Sequence, residues 1–383
     1  MSLSNYRSYE RLDVEFAPGI SVLYGENGRG KSNLLEALYL LAVAKSSRAG
    51  TDLELMRLRP DSIVSQHTQV AAWLALGRNT MRVQIDLSVP VGPDIESGNA
   101  PYTQKTLRVN GAPRRLSELV GEFNAVLFSP ADMDLVYGSP SVRRRYLDIL
   151  LSQQQQGYLR GLQRYQRLLM QRNHLLKRVR EGAAKVEELD PWDEKLTAEG
   201  GLILAQRVST VTELSKMASV DYGQLADGDE VMNLEYISSL TLPESMDDGN
   251  FIGKEMRSVL IKKREEEIRA GFTTVGPHRD DLRLLVAGMD VARYASRGQA
   301  RTAVLALRLA EGRYLGERRG EPPVLLLDDV LSELDKRRRR HVLEQVAAYE
   351  QVFITTAELE LLDDGGLEEI TYYQVGDGKL AKK

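Results

Sequence analysis

The sequence predicts an α/β protein in which one head, a mixed sheet with helices, is split by a second, mainly helical lobe carrying a short coiled-coil-like arm. Three observations predict it. The run Gly25-Glu26-Asn27-Gly28-Arg29-Gly30-Lys31-Ser32 matches the phosphate-binding loop pattern G-x-x-x-x-G-K-[ST] in full. An apolar run ending in acid, Val324-Leu325-Leu326-Leu327-Asp328-Asp329, stands near the other end of the 383-residue chain. Between them, Val142 to Lys216 carries a single proline, Pro191, and is dense in Leu, Gln, Arg and Glu, the composition of long helices. The expected domain limits are 1–120 for the first part of the head, 121–267 for the helical lobe with its basic arm, and 268–383 for the returning part of the head.

The elements follow in order. Leu12, Val14 and Phe16 alternate with charged residues, and Pro18-Gly19 turns the chain into a short buried strand, Ile20 to Tyr24. Asn33 to Ala44 has the Leu34, Leu35, Leu38, Leu41 spacing of an amphipathic helix. Strand, glycine loop and helix form the context in which backbone amides wrap an anion. The candidate nucleotide contacts are therefore Gly25, Glu26, Asn27, Gly28, Arg29, Gly30, Lys31, Ser32 and Asn33, with Lys31 reaching the terminal phosphates and Ser32 ligating Mg²⁺. ATP and Mg²⁺ are the expected cofactors. Ala71 to Leu76, Met81 to Val89, Leu107 to Val109 and Ala125 to Phe128 read as further strands, with Asn110-Gly111 a hairpin turn.

The middle of the chain is where charge concentrates. The formal net charge is -4, yet Arg143 to Arg180 holds ten Lys or Arg against one acid, Asp148, which leaves +9. Such a stripe is either an electrostatic footprint for nucleic-acid phosphate or a solvated helix face that pairs with acids elsewhere. On the first reading Arg143, Arg144, Arg160, Arg164 and Arg167 are the candidate DNA contacts, to backbone and not to base edges. Tyr158, Leu162, Tyr165, Leu169, Arg172 and Leu176 alternate spacings of four and three, a coiled-coil-like seam of about three heptads. Gly182 breaks this helix and Asp190-Pro191-Trp192 starts the next, while Asp227 to Asn250 reads as an acidic, turn-rich connection. After Gly276-Pro277, Leu282, Leu284 and Val286 return to a strand pattern near Gly288, where the head is expected to resume.

The acidic strand supplies the second half of the site. Its buried run lies beside the phosphate loop and presents Asp328 at the strand end, to hold Mg²⁺ through water. Upstream, Ser296-Arg297-Gly298-Gln299 opens a helix. Taken alone it is an ordinary helix cap; placed before the acidic strand, it resembles the S-x-G-Q signature of ABC-type ATPases. Ser332-Glu333-Leu334-Asp335 similarly resembles the D-loop of that superfamily. The resemblance implies that Ser296, Gly298, Gln299 and Asp335 meet the nucleotide of a second molecule, so that ATP bridges a homodimer. It also implies that Asp329, with Lys31, is catalytic. Where such ATPases usually carry a glutamate, Asp329 is one methylene shorter, which argues for slow hydrolysis. The usual switch histidine is replaced by Thr355-Thr356-Ala357, so a threonine hydroxyl is expected at the terminal phosphate; Gln66 and Gln69 are the candidates for the Gln-loop.

Further motifs narrow the family. Asn5-Tyr6-Arg7-Ser8-Tyr9, Tyr24 to Ser32, Ser129-Pro130-Ala131-Asp132, Gly138-Ser139-Pro140 with Arg143 to Asp148, Gly276-Pro277-His278-Arg279-Asp280-Asp281, and Tyr294 to Gln299 with Leu326 to Asp335 resemble the RecF family of bacterial recombination mediators. The resemblance implies an SMC-like, ABC-type ATPase head and ATP-dependent dimerisation on double-stranded or single-stranded DNA or their junctions. It further implies slow DNA-stimulated hydrolysis and action with RecR and RecO to direct RecA at single-strand gaps and stalled forks. Chains of that family generally begin with several more residues, so a weakened first strand at a sheet edge is expected. Composition narrows the alternatives. The absence of cysteine removes the zinc hook of double-strand-break repair heads, and three heptads are too few for an SMC arm. No run of eighteen apolar residues and no leader pattern occurs, so the expected location is cytoplasmic with no membrane partner. A nucleotide-gated DNA clamp with negligible turnover stays open as a rival.

Overall fold

The computed structural model describes residues 1–58, 67–77, 79–89, 103–226, 228–241, 248–365 and 370–383. From the N-terminus come β1 (Ser2–Tyr6), β2 (Tyr9–Asp13), β3 (Gly19–Tyr24), α1 (Lys31–Val43), β4 (His67–Leu76), β5 (Asn79–Ser88), β6 (Gln104–Val109), β7 (Ala112–Arg114), α2 (Leu116–Leu119) and β8 (Ala125–Phe128). The middle holds α3 (Asp134–Tyr137), α4 (Pro140–Gln154), α5 (Gln156–Arg180), α6 (Asp190–Leu225), β9 (Met232–Ile237), α7 (Gly249–Ala270), β10 (Asp281–Val286), β11 (Met289–Asp290), α8 (Val291–Tyr294) and α9 (Arg297–Arg319). Then follow β12 (Val324–Asp328), α10 (Lys336–Val346), β13 (Gln351–Thr356), β14 (Ile370–Gly376) and β15 (Lys379–Lys382). These form two compact units, Met1–Ala131 with Leu315–Lys383, and Asp132–Tyr314.

In the first unit, the described strands make two six-stranded sheets. One is antiparallel, in the order β2-β1-β4-β5-β6-β7. The other, β15-β14-β3-β13-β12-β8, is parallel except for its β15 hairpin edge. Strands of this second sheet read as unbroken apolar runs, such as Val324 to Leu327, because both faces are covered. Helix α1 touches strands of both sheets and is buried from Leu34 to Val43. The predicted amphipathic helix is thus apolar on every side, the pattern of a helix inside a core. Its one acid, Glu36, is held by a bidentate pair from Arg7 at 2.9 Å and by the Ser46 hydroxyl at 2.5 Å. Burial pushes the Glu36 carboxyl up, but Arg7, Ser46 and Arg48 outweigh it and hold it below its usual value. β1 is not a sheet edge, since it pairs with β2 on one side and β4 on the other. Strand β2 ends at Asp13, so Val14 and Phe16 leave the alternation; the Phe16 ring instead packs edge-on against Phe353 and Tyr373.

The second unit is built around α5, α6 and α7, with a three-stranded antiparallel sheet in the order β11-β10-β9. Its core gathers Tyr158 and Tyr165 from α5, Leu196 and Leu204 from α6, and Met256 and Leu260 from α7. The heptad seam is this packing stripe. Tyr158, Tyr165, Arg172 and Leu176 are buried, and Leu162 and Leu169 pack half-buried beside them. Helices α6 and α7 meet main chain to main chain. A Cβ on Gly201 would lie 2.2 Å from the Gly249 carbonyl oxygen and 2.5 Å from the Gly253 nitrogen.

The chain divides after Ala131 and after Tyr314, where the predicted limits were 120 and 267. Strand β8 pairs with β12 and so belongs to the first unit, while β10 pairs along its length with β9 in the second. The returning strand pattern at Leu282 therefore marks the small sheet of the second unit and not the resumption of the head. Residues 227 and 242–247 of the predicted acidic connection lie outside the described residues, but its middle forms β9, whose short Met232–Ile237 alternation is read only once β10 stands beside it.

Candidate functional site

Strand β3 delivers the chain to the loop from the interior of the parallel sheet, with β14 on one side and β13 on the other. Two glycines are required by geometry. Gly25 has φ 149° and a Cβ there would lie 2.5 Å from the Val375 carbonyl oxygen; Gly30 caps α1 at φ 106°, where a Cβ would lie 2.6 Å from Ser8 Oγ. The Tyr9 hydroxyl donates to the Gly30 carbonyl at 2.9 Å, and Asn33 Nδ2 donates to Ser8 Oγ at 3.0 Å. The motif Ser8-Tyr9 thus braces the loop from behind. On its outer side, Arg29 pairs with Glu26 at 2.8 Å and Asp377 at 2.6 Å.

The two distant motifs come together. Ser32 Oγ donates to Asp328 Oδ1 at 2.6 Å, and Thr355 Oγ1 donates to the same oxygen at 2.9 Å. The strands carrying them are not direct neighbours, because β13 lies between β3 and β12 and brings Thr355 to the carboxylate. Thr355 Oγ1 also accepts the Asp329 amide at 2.9 Å. Asp329 itself sits at φ 53°, a left-handed conformation that Asp and Asn tolerate better than longer or branched residues. Lys31 turns back on the loop, with Nζ donating to the carbonyls of Gly25 at 2.5 Å and Glu26 at 3.0 Å and to Asn27 Oδ1 at 3.4 Å. Burial lowers its pKa, against the opposing pull of Asp329 and Asp328. One hydroxyl and one carboxylate oxygen, side by side, are hard oxygen donors of the kind that hold Mg²⁺ together with substrate phosphates and water. That donor set fits the metal.

Ser296, Arg297 and Gly298 are exposed at the start of α9. Ser296 N donates to Gln299 Oε1 at 2.9 Å and Gln299 N donates back to Ser296 Oγ at 3.2 Å, a reciprocal capping box. Gln299 Nε2 reaches Glu230 Oε1 at 3.0 Å and Oε2 at 3.1 Å. Asp335 caps α10, accepting the Arg338 amide at 3.0 Å; that bond and the Arg338 guanidinium hold its carboxyl below its usual value. Of the two threonines, Thr356 Oγ1 is engaged with the Glu358 backbone at 2.9 Å and 3.0 Å, so the hydroxyl beside the acid is that of Thr355. Gln69 lies within β4 and donates to Asp86 at 3.0 Å, which removes it from any loop; Gln66 lies outside the described residues.

The basic stripe is partly neutralised inside its own unit. Arg143 forms a bidentate pair with Asp281 at 2.7 Å and 2.9 Å, and Arg144 donates to the Asp280 carbonyl at 2.8 Å. Arg172 is fully buried between Asp193 and Glu267. Arg164 pairs with Glu199 at 2.5 Å but stays exposed, as do Arg160 and Arg167. Acids far away in sequence supply these partners, so the local count of +9 overstated the field. The sequence pattern also leaves unassigned Lys336 to Arg340, five consecutive basic residues opening α10, and Glu230, the last acid of Asp227-Gly228-Asp229-Glu230, where an acidic stretch singles out no one residue. His278 and Arg279 both anchor the Thr273 carbonyl, His278 Nε2 at 3.1 Å and Arg279 at 2.9 Å and 3.1 Å, which makes them loop braces.

Comparison with known proteins identifies the family. The family model described as RecF/RecN/SMC N terminal domain matches residues 1–377. A DNA replication and repair protein RecF from Chloroflexus aggregans is 38% identical over 387 residues, covering 99% of this chain and 98% of that protein. The RecF protein of Symbiobacterium thermophilum is 41% identical over 363 residues, covering 94% and 91%. Among solved structures, the recombination mediator RecF with ATP in the RecFOR pathway superposes with TM-score 0.87 at 31% identity, covering 100% of this chain and 96% of that one. An Smc head bound to the C-terminal winged-helix domain of ScpA shares the fold, with TM-score 0.55 at 16% identity, covering 100% and 96%.

Proposed function

Since the chain belongs to the RecF family of DNA replication and repair proteins, we propose that it is an ATP-driven, DNA-binding recombination mediator. The observation that carries this reading is the Ser32–Asp328 pair, 2.6 Å long, in which residues from opposite ends of the chain make one polar site at the mouth of a glycine loop. ATP lies with its phosphates in Gly25 to Ser32, and Lys31 exchanges the loop carbonyls for the terminal phosphates. Ser32 and Asp328 would hold Mg²⁺, which would neutralise phosphate charge. Asp329 accepts the proton of the attacking water from a short side chain, so turnover is slow.

Each chain has one loop and one signature, so two chains with two ATP molecules complete two shared sites by a twofold axis. Ser296 and Gly298 of one chain face the nucleotide of the other, with Gln299 behind them and Asp335 at the same seam. Double-stranded and single-stranded DNA or their junctions are held by backbone contacts to Arg160 and Arg167, and to Arg164, Arg144 and Arg143 where they exchange their internal partners for phosphate. RecR and RecO are the protein partners, the product is directed RecA loading at single-strand gaps and stalled forks, and the location is the cytoplasm. Among the described residues no helix is long and apolar enough to cross a membrane.

Sedimentation with ATP, with ADP and with added duplex DNA tests this reading. Dimers that form with ATP and are strengthened by DNA are expected; a species indifferent to nucleotide overturns it. The rival of a clamp with negligible turnover is favoured by one observation, the left-handed Asp329 held through its amide to Thr355. ATP hydrolysis measured with and without duplex DNA separates them, and zero turnover in both removes the enzyme while leaving the clamp.

A further inference from the structure

We propose that Glu230 is the positioning residue of the signature, and that through Tyr222 it ties the signature to the end of α6; this rests on the dimer reading above. The capping box alone leaves the Gln299 side chain half used. Its Oε1 is taken by the Ser296 amide at 2.9 Å, and its Nε2 is directed at both oxygens of Glu230, at 3.0 Å and 3.1 Å. The two partners agree on the orientation of the amide, since a backbone N–H requires the oxygen on one side and a carboxylate requires the nitrogen on the other. Glu230 Oε2 in turn accepts the hydroxyl of Tyr222, buried on the last turns of α6, at 3.2 Å.

The consequence falls on Ser296. With the Gln299 backbone N–H donating to Ser296 Oγ at 3.2 Å, the oxygen is occupied as an acceptor on its helix side and its own O–H is left to point outward. The presented donors at this exposed helix start are then the Ser296 hydroxyl with the backbone of Arg297 and Gly298. A carboxylate close to a helix N-terminus is favourable by itself, so Glu230 is stable there without a bound phosphate. It sets the bonding pattern before the second molecule arrives, which lowers the ordering cost of forming the shared site. An ordinary cap needs only the Ser–Gln box, and neither Glu230 nor Tyr222 is part of that.

The experiment uses the full chain with Glu230→Ala, Glu230→Gln and Tyr222→Phe, and Ser296→Arg in parallel. Glu230→Ala is expected to keep the melting temperature and the ATP affinity of the single chain while weakening ATP-driven dimerisation about tenfold, the loss of one charge-assisted hydrogen bond. Glu230→Gln restores most of the dimer, because its carbonyl oxygen still accepts from Gln299. Tyr222→Phe gives a smaller loss in the same direction. The proposal is overturned if Glu230→Ala dimerises as well as the parent, if Glu230→Gln rescues nothing, or if the loss comes with a lower melting temperature. Ser296→Arg separates the two levels. When it blocks dimerisation and Glu230→Ala does not, the dimer reading stands and the role of Glu230 falls; when Ser296→Arg dimerises normally, the dimer reading itself falls.

Discussion

Two helices of this protein begin on a phosphate-type sequence, and their first turns are built in opposite ways. α1 starts at Lys31 inside the first unit, buried on nearly every side, with its cap Gly30 held by Tyr9 and its lysine folded onto the loop carbonyls. α9 starts at Arg297 with Ser296, Arg297 and Gly298 exposed and satisfied by their own capping box. The difference teaches what each half-site lacks. On the proposed reading, the buried start has its walls and takes a nucleotide, whereas the exposed start has its donors set and takes its wall from another molecule.

The contrast can be broken from either side. Lys31→Met is expected to have the largest effect, removing at least about 2 kcal/mol of ATP binding and with it the ATP-driven dimer; calorimetry showing parental affinity would end the assignment of the loop. Ser296→Arg leaves ATP binding to the single chain intact and abolishes the ATP-driven dimer, read by sedimentation. Gly201→Ala acts on the second unit alone, since its Cβ would lie 2.2 Å from the Gly249 carbonyl oxygen. It should lower stability by about 1–3 kcal/mol without changing ATP affinity, measured by denaturant unfolding beside nucleotide titration.

Smaller effects sharpen the basic arm. Arg167 is exposed and makes no ion pair among the described residues, whereas Arg164 already holds Glu199. Arg167→Glu should therefore lower the slope of log affinity for duplex DNA against log salt by about 1, and an unchanged slope returns α5 to a solvated face. The smallest effect is a pH dependence at His278. Its Nε2 donates to the Thr273 carbonyl, so Nδ1 accepts the Tyr165 hydroxyl, and burial lowers its pKa to about 4. A depressed histidine contributes stability above its unfolded pKa and loses it as pH falls toward 4. Asp221, raised by burial to about 6, acts in the opposite sense over the same range. The stability difference between parent and His278→Gln should accordingly shrink between pH 6.5 and 4, a difference in which the Asp221 contribution cancels.

What could be read in advance followed from how local the signal is. The phosphate loop, β8, the Asn110-Gly111 hairpin and the break between α5 and α6 are written in adjacent residues, and the structure has them at those positions. The family and the fold were legible because their motifs recur along the whole chain. The reach of the basic stripe was not, since the partners of Arg143 and Arg172 lie at Asp281, Asp193 and Glu267. Strand β9 was hidden because six residues of weak alternation become a strand only against β10. Nothing in its acidic stretch singles out Glu230, and its meaning comes from where Gln299 happens to point.

The glycine crossing of α6 and α7 carries a mechanical consequence. With Gly201 against Gly249 and Gly253, the two backbones touch without side chains between them, so the joint cannot be compressed. Helix α6 is 36 residues, about 54 Å of rod, and ends beside Tyr222. A tug on its far end is delivered to the other with little lost to soft packing, as along a strut clamped about a third of the way along. Stiffness of this kind is what a protein needs if an event at one end of a helix is to be felt at the other.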